Sequence, residues 1–313
     1  MLRYIAFRLL SVIPVMAVVV VAVFLLLHLA PGDPAAMIAG DVASPEQISR
    51  IRAYLRLDEP LYVQFGIWLA NLLTFDLGTS VFSELPVTKL IGQRIEPTLM
   101  LALTTTVLTI LYAVPLGVIA AWRARTAVDR AVIGFSVAGF SIPVFVIGYG
   151  LIYVFALKLR WLPVQGYQPL SAGVFECLRT LVLPSAALAI VFGALLARVT
   201  RAAMLEVLDQ DYIRTARAKG AGTARVLVLH ALRNAGMPVV TVIGLGFASL
   251  IGGVVVTESV FNIPGIGRLT VDAILHRDYA VVQGTLLVFS GVLVGVNLLV
   301  DLTLGLLDPR IQY

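Results

Sequence analysis

The chain has 313 residues, 59% of them hydrophobic and 13% charged, with a mean hydropathy of +0.97, a balance outside that of water-soluble domains. Its net charge of +5 would point to nucleic acid in a soluble protein. In a bilayer the same charge reflects basic residues kept on one face, so membrane lipid is the expected surroundings and nucleic acid is excluded as a partner.

Crossing a hydrocarbon core of roughly 30 Å takes about 20 apolar residues. The first stretch that meets this runs from Leu9 to Ala30. Arg3 and Arg8 precede it as in a secretory signal, but the apolar run is too long for one and no small-residue cleavage site follows, so a retained span is expected. A long polar connection, Pro31 to Pro97, comes next. Within it Ser44-Pro45-Glu46 is a helix start signal, and Ile48, Ile51, Leu55 and Leu57 alternate with Arg50, Arg52 and Arg56 as in an amphipathic helix lying on the outer face. Further spans are expected over Thr98–Ala121, Ala131–Leu157, Leu181–Ala197, Val239–Val256 and Val281–Leu307. Pro115 and Pro143 fall mid-span and are candidate kinks. Gly244, Ala248 and Gly252, and again Gly291 and Gly295, form small-residue stripes for close helix packing. Asp301 lies well inside the sixth span with Asn297 one turn before it on the same face. A polar clasp to a neighbouring helix or chain is the expected role.

Orientation follows from the basic residues. With the N-terminus inside, the inner pieces carry thirteen Lys and Arg and the longer outer pieces ten, and the short loop Trp122–Arg130, with Arg123, Arg125 and Arg130, discriminates best. Both termini are therefore expected inside. Cys177, between the third and fourth spans, should face outside, open to a membrane-impermeant maleimide.

Several chemistries are missing. One cysteine and three histidines leave little for a disulfide scaffold or a Cys- or His-based metal centre. Lys89, Lys158 and Lys219 are the only lysines and none stands in Gly-Lys-Ser/Thr, so no P-loop exists for ATP. There is no H-E-x-x-H and no G-x-S-x-G, and His28 and His276 lie near span ends or in loops without a nucleophile motif, which leaves an enzyme without named parts.

The inner connection Arg198–Pro238 is too long for a turn. Its sequence DYIRTARAKGAGTARVLVLHALRNAGMP (Asp211–Pro238) reads as a helix over Asp211–Lys219, a break at Gly220 and a second amphipathic stretch from Thr223. Arg214, Arg217 and Lys219 supply charge and Tyr212 and Ile213 apolar anchors, as in a helix offered to a partner protein. A solvated basic loop obeying the charge rule would read the same way, and physics alone leaves the two open.

This segment resembles the cytoplasmic coupling ("EAA") loop of ABC importer permeases of the dipeptide, oligopeptide and nickel class. The counterparts of the family pattern are Arg214, Thr215, Ala216, Gly220, His230, Leu232 and Arg233, with the usual Glu and Pro replaced. LAPGDP (Leu29–Pro34), LRLDEPLYVQFGIWL (Leu55–Leu69), DLGTS (Asp76–Ser80), Leu183-Pro184, TESVFNIPGIGRL (Thr257–Leu269) and DPRI (Asp308–Ile311) also resemble the first of the two paralogous permeases of such systems. Arg56 and Phe75 stand where those motifs usually show Gly. The resemblance implies an all-α membrane protein with six transmembrane helices and the type I importer (MetI-like) permease fold. Its parts would be an N-terminal helix and outer segment (1–94), a core (95–307) with the coupling loop at about 198–238, and a cytoplasmic tail (308–313). It further implies a non-catalytic subunit of a bacterial inner-membrane importer for di- or oligopeptides or a related solute. The implied partners are a paralogous permease, two ABC ATPase subunits that hold the ATP and Mg, and a substrate-binding protein outside; the coupling residues would be Asp211, Tyr212, Arg214, Thr215, Ala216, Lys219 and Gly220. A stand-alone channel or secondary carrier is the alternative. It would call for polar residues along several spans or paired broken helices, and only Asp301 lies deep in one.

Overall fold

The computed structural model describes residues 2–29, 34–39, 43–54 and 56–307. Among them the chain is helical: α1 (Leu2–Leu29), α2 (Pro34–Ala39), α3 (Pro45–Tyr54), α4 (Leu61–Leu73), α5 (Val87–Trp122), α6 (Ala127–Ser141), α7 (Val144–Lys158), α8 (Val174–Leu208), α9 (Asp211–Ala218), α10 (Thr223–Leu232), α11 (Gly236–Gly253), α12 (Val255–Val260), α13 (Ile266–Leu275) and α14 (Tyr279–Leu307). Four of these are long and apolar enough to cross a membrane, and six spans result if each of two bent pairs, α6 with α7 and α10 with α11, counts as one. The expected tail (308–313) and most of LAPGDP lie outside the described residues.

The third span is therefore not a single kinked helix over Ala131–Leu157. The axis bends by 101° between its two legs. Proline disfavours the helical region for its predecessor, and here Ile142 is extended at φ −89°, ψ 125°, so α6 stops at Ser141. By contrast α5 runs through Pro97 and Pro115. It also begins eleven residues before the expected Thr98, and α8 exceeds its expected span at both ends, because hydropathy loses a helix where its polar ends leave the hydrocarbon.

The core is α5 laid against α8. Gly117 brings them together, since a Cβ there would stand 2.6 Å from the Thr200 Cβ and 2.7 Å from the Ala197 carbonyl, and Tyr112 donates its hydroxyl to the Ala189 carbonyl beside Gly193. The ends of the bundle follow from polar ties. Asp129 at the start of α6 bonds Arg201 near the end of α8. Tyr167 and Leu170, beyond α7, bond Glu96 near the opposite end of α5, so the bent pair α6–α7 crosses the bundle. Asp278, before α14, accepts from Ser80, before α5, at 2.5 Å, and Arg8 pairs with Asp301 at 2.7 Å. Both α1 and α14 thus present their Arg8 and Asp301 ends on the side that carries α9.

In the outer segment, Ser44 and Gln47 form a reciprocal capping box, Ser44 N donating to Gln47 Oε1 at 2.8 Å and Gln47 N to Ser44 Oγ at 3.3 Å, so the start signal before α3 folds as read. Arg56 and Phe75, the two positions where glycine was expected, adopt φ of 53° and 60°. The left-handed backbone that the motif's glycine would favour is kept here by larger residues, at a strain of about 1 kcal/mol each.

Candidate functional site: an exposed helix and its turn

At one end of the bundle α8 extends to Leu208 and hands over to α9. Ile213 fixes this short helix: fully buried, it packs with Met204, Val226, Leu227 and Ala231. It is therefore an internal anchor and not, as the sequence suggested, part of an offered surface. Tyr212 is 43% exposed, with its hydroxyl 3.5 Å from the His230 carbonyl. Asp211, Arg214, Thr215, Arg217 and Lys219 are exposed and Ala216 is half-buried. Arg214 reaches Asp209 at 3.6 Å and Asp211 at 3.4 Å, but with all three side chains in solvent such pairs add under about 1 kcal/mol.

Gly220 closes the helix. Its φ is +82°, the Gly220 N–H donates to Arg217 O at 2.9 Å, and the Ala221 N–H donates to Ala216 O at 3.1 Å. These two bonds are a Schellman motif, which needs a left-handed residue at this position. Nothing lies within 4 Å of a Cβ added at Gly220, so the turn faces open space.

A second set of contacts ties this end together. The Asp129 carboxylate is 4% exposed and takes a two-pronged contact from Arg201, Nε at 2.5 Å and Nη2 at 2.8 Å. The Arg125 N–H adds a third bond at 2.8 Å. The loop between α5 and α6 is thus clamped to the part of α8 that leads into α9. Among the described residues no group of three His, Cys, Asp or Glu could hold a metal ion.

The described family of binding-protein-dependent transport system inner membrane components matches residues 113–313, and its N-terminal companion matches residues 1–104. The chain belongs to this family. A probable peptide ABC transporter permease protein of Sinorhizobium fredii is 54% identical over 310 residues, 99% of each chain. The glutathione transport system permease protein of Escherichia coli O6:H1 is 44% identical over 314 residues, all of both chains. An inward-facing MetNI methionine ABC transporter shares the fold with a TM-score of 0.58 at 18% identity, covering 71% of this chain and 97% of that one. The protein is an ABC-type inner-membrane permease with the type I importer fold, and its family's subunits translocate without hydrolysing ATP.

Elsewhere in this permease, Asn297 lines the same small cavity as Arg8, Ser11 and Asp301. The Arg8 and Asp301 side chains are 41% and 28% exposed, so their pair is partly solvated. Asp301→Asn, which keeps an acceptor for Arg8, is expected to retain most uptake and complex yield, while Asp301→Leu lowers the yield of assembled complex; equal and total loss of uptake in both, with normal assembly, would assign the charge to transport instead. Cys177 is fully buried with its Sγ 3.7 Å from the Tyr167 hydroxyl, so the native thiol is closed to maleimide.

A polar knot at the end opposite α9 escaped the sequence reading, as did the Asp129–Arg201 pair at the α9 end. Glu258, in the TESVFNIPGIGRL motif, is fully buried; it accepts from Thr98 Oγ1 at 2.8 Å and the Arg268 N–H at 2.8 Å, and Thr98 Oγ1 in turn accepts from the Ile266 N–H at 2.9 Å. Gly265 is required here, because a Cβ would stand 1.9 Å from Glu258 Oε1. The motif's acid and glycines were visible, but their partner Thr98 is 160 residues away. For Asp129 one signal existed: Thr126-x-x-Asp129 before an apolar run is a capping pattern.

Proposed function

We propose that this permease forms, with a paralogous second permease, the translocation path of an importer for di- or oligopeptides or a related small solute. Two ATPase subunits holding ATP and Mg drive it from the α9 side, and a substrate-binding protein delivers solute to the other. The observation that carries this reading is α9 itself: a charged, exposed helix on a single buried anchor, closed by a glycine turn that faces open space. A solvated loop needs neither the anchor nor the closure. Asp211, Tyr212, Arg214, Thr215, Ala216, Lys219 and Gly220 would meet the ATPase, whose closure then biases the bundle between two arrangements. Peptide and glutathione transport in the names of the relatives support the cargo class, and the basic residues around α9, Arg8 and Arg123 support a cytoplasmic side for that end and for both termini.

Mild-detergent purification of the tagged permease tests the assembly. ATPase subunits and a second permease should accompany it, whereas a chain that arrives alone and moves solute without ATP would be a carrier. Orientation is read with Ser171→Cys in the exposed loop before α8; labelling by impermeant maleimide in spheroplasts is expected, and labelling confined to inverted vesicles would reverse it.

A further inference from the structure

The helix α4, LYVQFGIWLANLL, carries no Asp, Glu, Lys or Arg, yet belongs to the polar connection after the first span. Its burial is inverted. Gln64, its most polar central residue, faces inward at 9% exposure, donating to the Glu59 carbonyl at 2.8 Å and the Leu57 carbonyl at 3.4 Å while its Oε1 lies 3.0 Å from His28 Nε2. The opposite stripe, Tyr62, Gly66, Leu69, Ala70 and Leu73, contains no polar side chain except the tyrosine hydroxyl, and Tyr62 and Leu73 are 77% and 74% exposed. A helix on a water-covered surface shows the reverse pattern.

Depth supplies a second observation. The Phe24 ring lies 5.2 Å from Phe65 and 5.6 Å from Trp68, and Phe24 sits within the apolar run Phe7–Leu29 of α1. Five residues from the end of that run correspond to about 7 Å below its limit. The inner face of α4 thus packs on α1 at a depth that the hydrocarbon covers, which sets its opposite stripe at the same depth. At 13 residues it is too short to span, and its Trp and Tyr are the residues that favour the interface.

We infer that α4 is an interfacial membrane helix, its Tyr62–Leu73 stripe immersed in the leaflet that surrounds the outer end of α1, so that lipid and not a protein partner covers it. The N-terminal segment would then be held by the bilayer as well as by the bundle.

Spin labels at Tyr62→Cys and Leu73→Cys test this in the whole transporter in phosphatidylethanolamine–phosphatidylglycerol vesicles. Unsubstituted protein, with its buried Cys177, gives the background, and Ser49→Cys on exposed α3 the aqueous reference. Collision with oxygen should exceed that with a water-soluble nickel chelate several-fold at both α4 sites, the reverse of Ser49. Chelate access equal to Ser49 would overturn the inference. So would exclusion of both reagents that is relieved by removing the binding protein or the second permease, which would make α4 a docking face.

Discussion

Gly220→Val abolishes uptake while leaving membrane insertion and binding-protein docking near normal. At φ +82° a β-branched residue strains the turn by about 1 kcal/mol or more, and relief of that strain breaks the two bonds from Gly220 and Ala221 that end α9. Among the described residues no atom lies within 4 Å of a Cβ placed there, so the bundle is spared and the damage falls on the surface offered to the ATPase. Gly222 makes the control: its φ is −65° and nothing lies within 4 Å of an added Cβ, so Gly222→Ala should keep most uptake. Uptake and co-purified ATPase are measured together. Near-normal uptake by Gly220→Val would remove α9 as the coupling element.

Loss of the Arg201 side chain should be the most damaging single truncation at the α9 end. In Arg201→Ala the 4% exposed Asp129 carboxylate keeps only its Arg125 N–H bond among the contacts described above, and stranding a buried charge costs about 3 kcal/mol or more. The Asp129→Ala, Arg201→Ala double variant removes the stranded charge and should recover part of the thermal stability and assembled yield lost by Arg201→Ala. A double-mutant cycle reads the coupling. Additive losses would show that the pair does not bind the α5–α6 loop to α8.

Spans and the α9 turn were legible because each is written locally. Twenty apolar residues declare a span whatever surrounds them, and Ala216, Gly220 and Thr223 declare a helix end and restart within one short window. What was lost needs two distant segments at once. Arg201 reads as one more inner cation until α6 brings Asp129, 72 residues away, against it. Glu96 reads as a polar flank, which cut α5 short, until Tyr167 and Leu170 satisfy it. At Pro143 the break was visible but its 101° angle was not, since hydropathy carries no direction. Ile213 misled because an apolar residue on an otherwise charged helix looks the same whether it faces a partner or its own bundle.

The central claim, that α9 is where an ATPase pushes on this permease, is tested most directly by a photo-crosslinking amino acid at Thr215, exposed on α9, in the assembled transporter. The account predicts a single major product between this chain and an ATPase subunit, its yield changing between nucleotide-free and ATP-bound complex, and no such product from the same probe at Ser49 on the opposite side. An assembled, ATP-dependent transporter giving no ATPase product from Thr215 would contradict it.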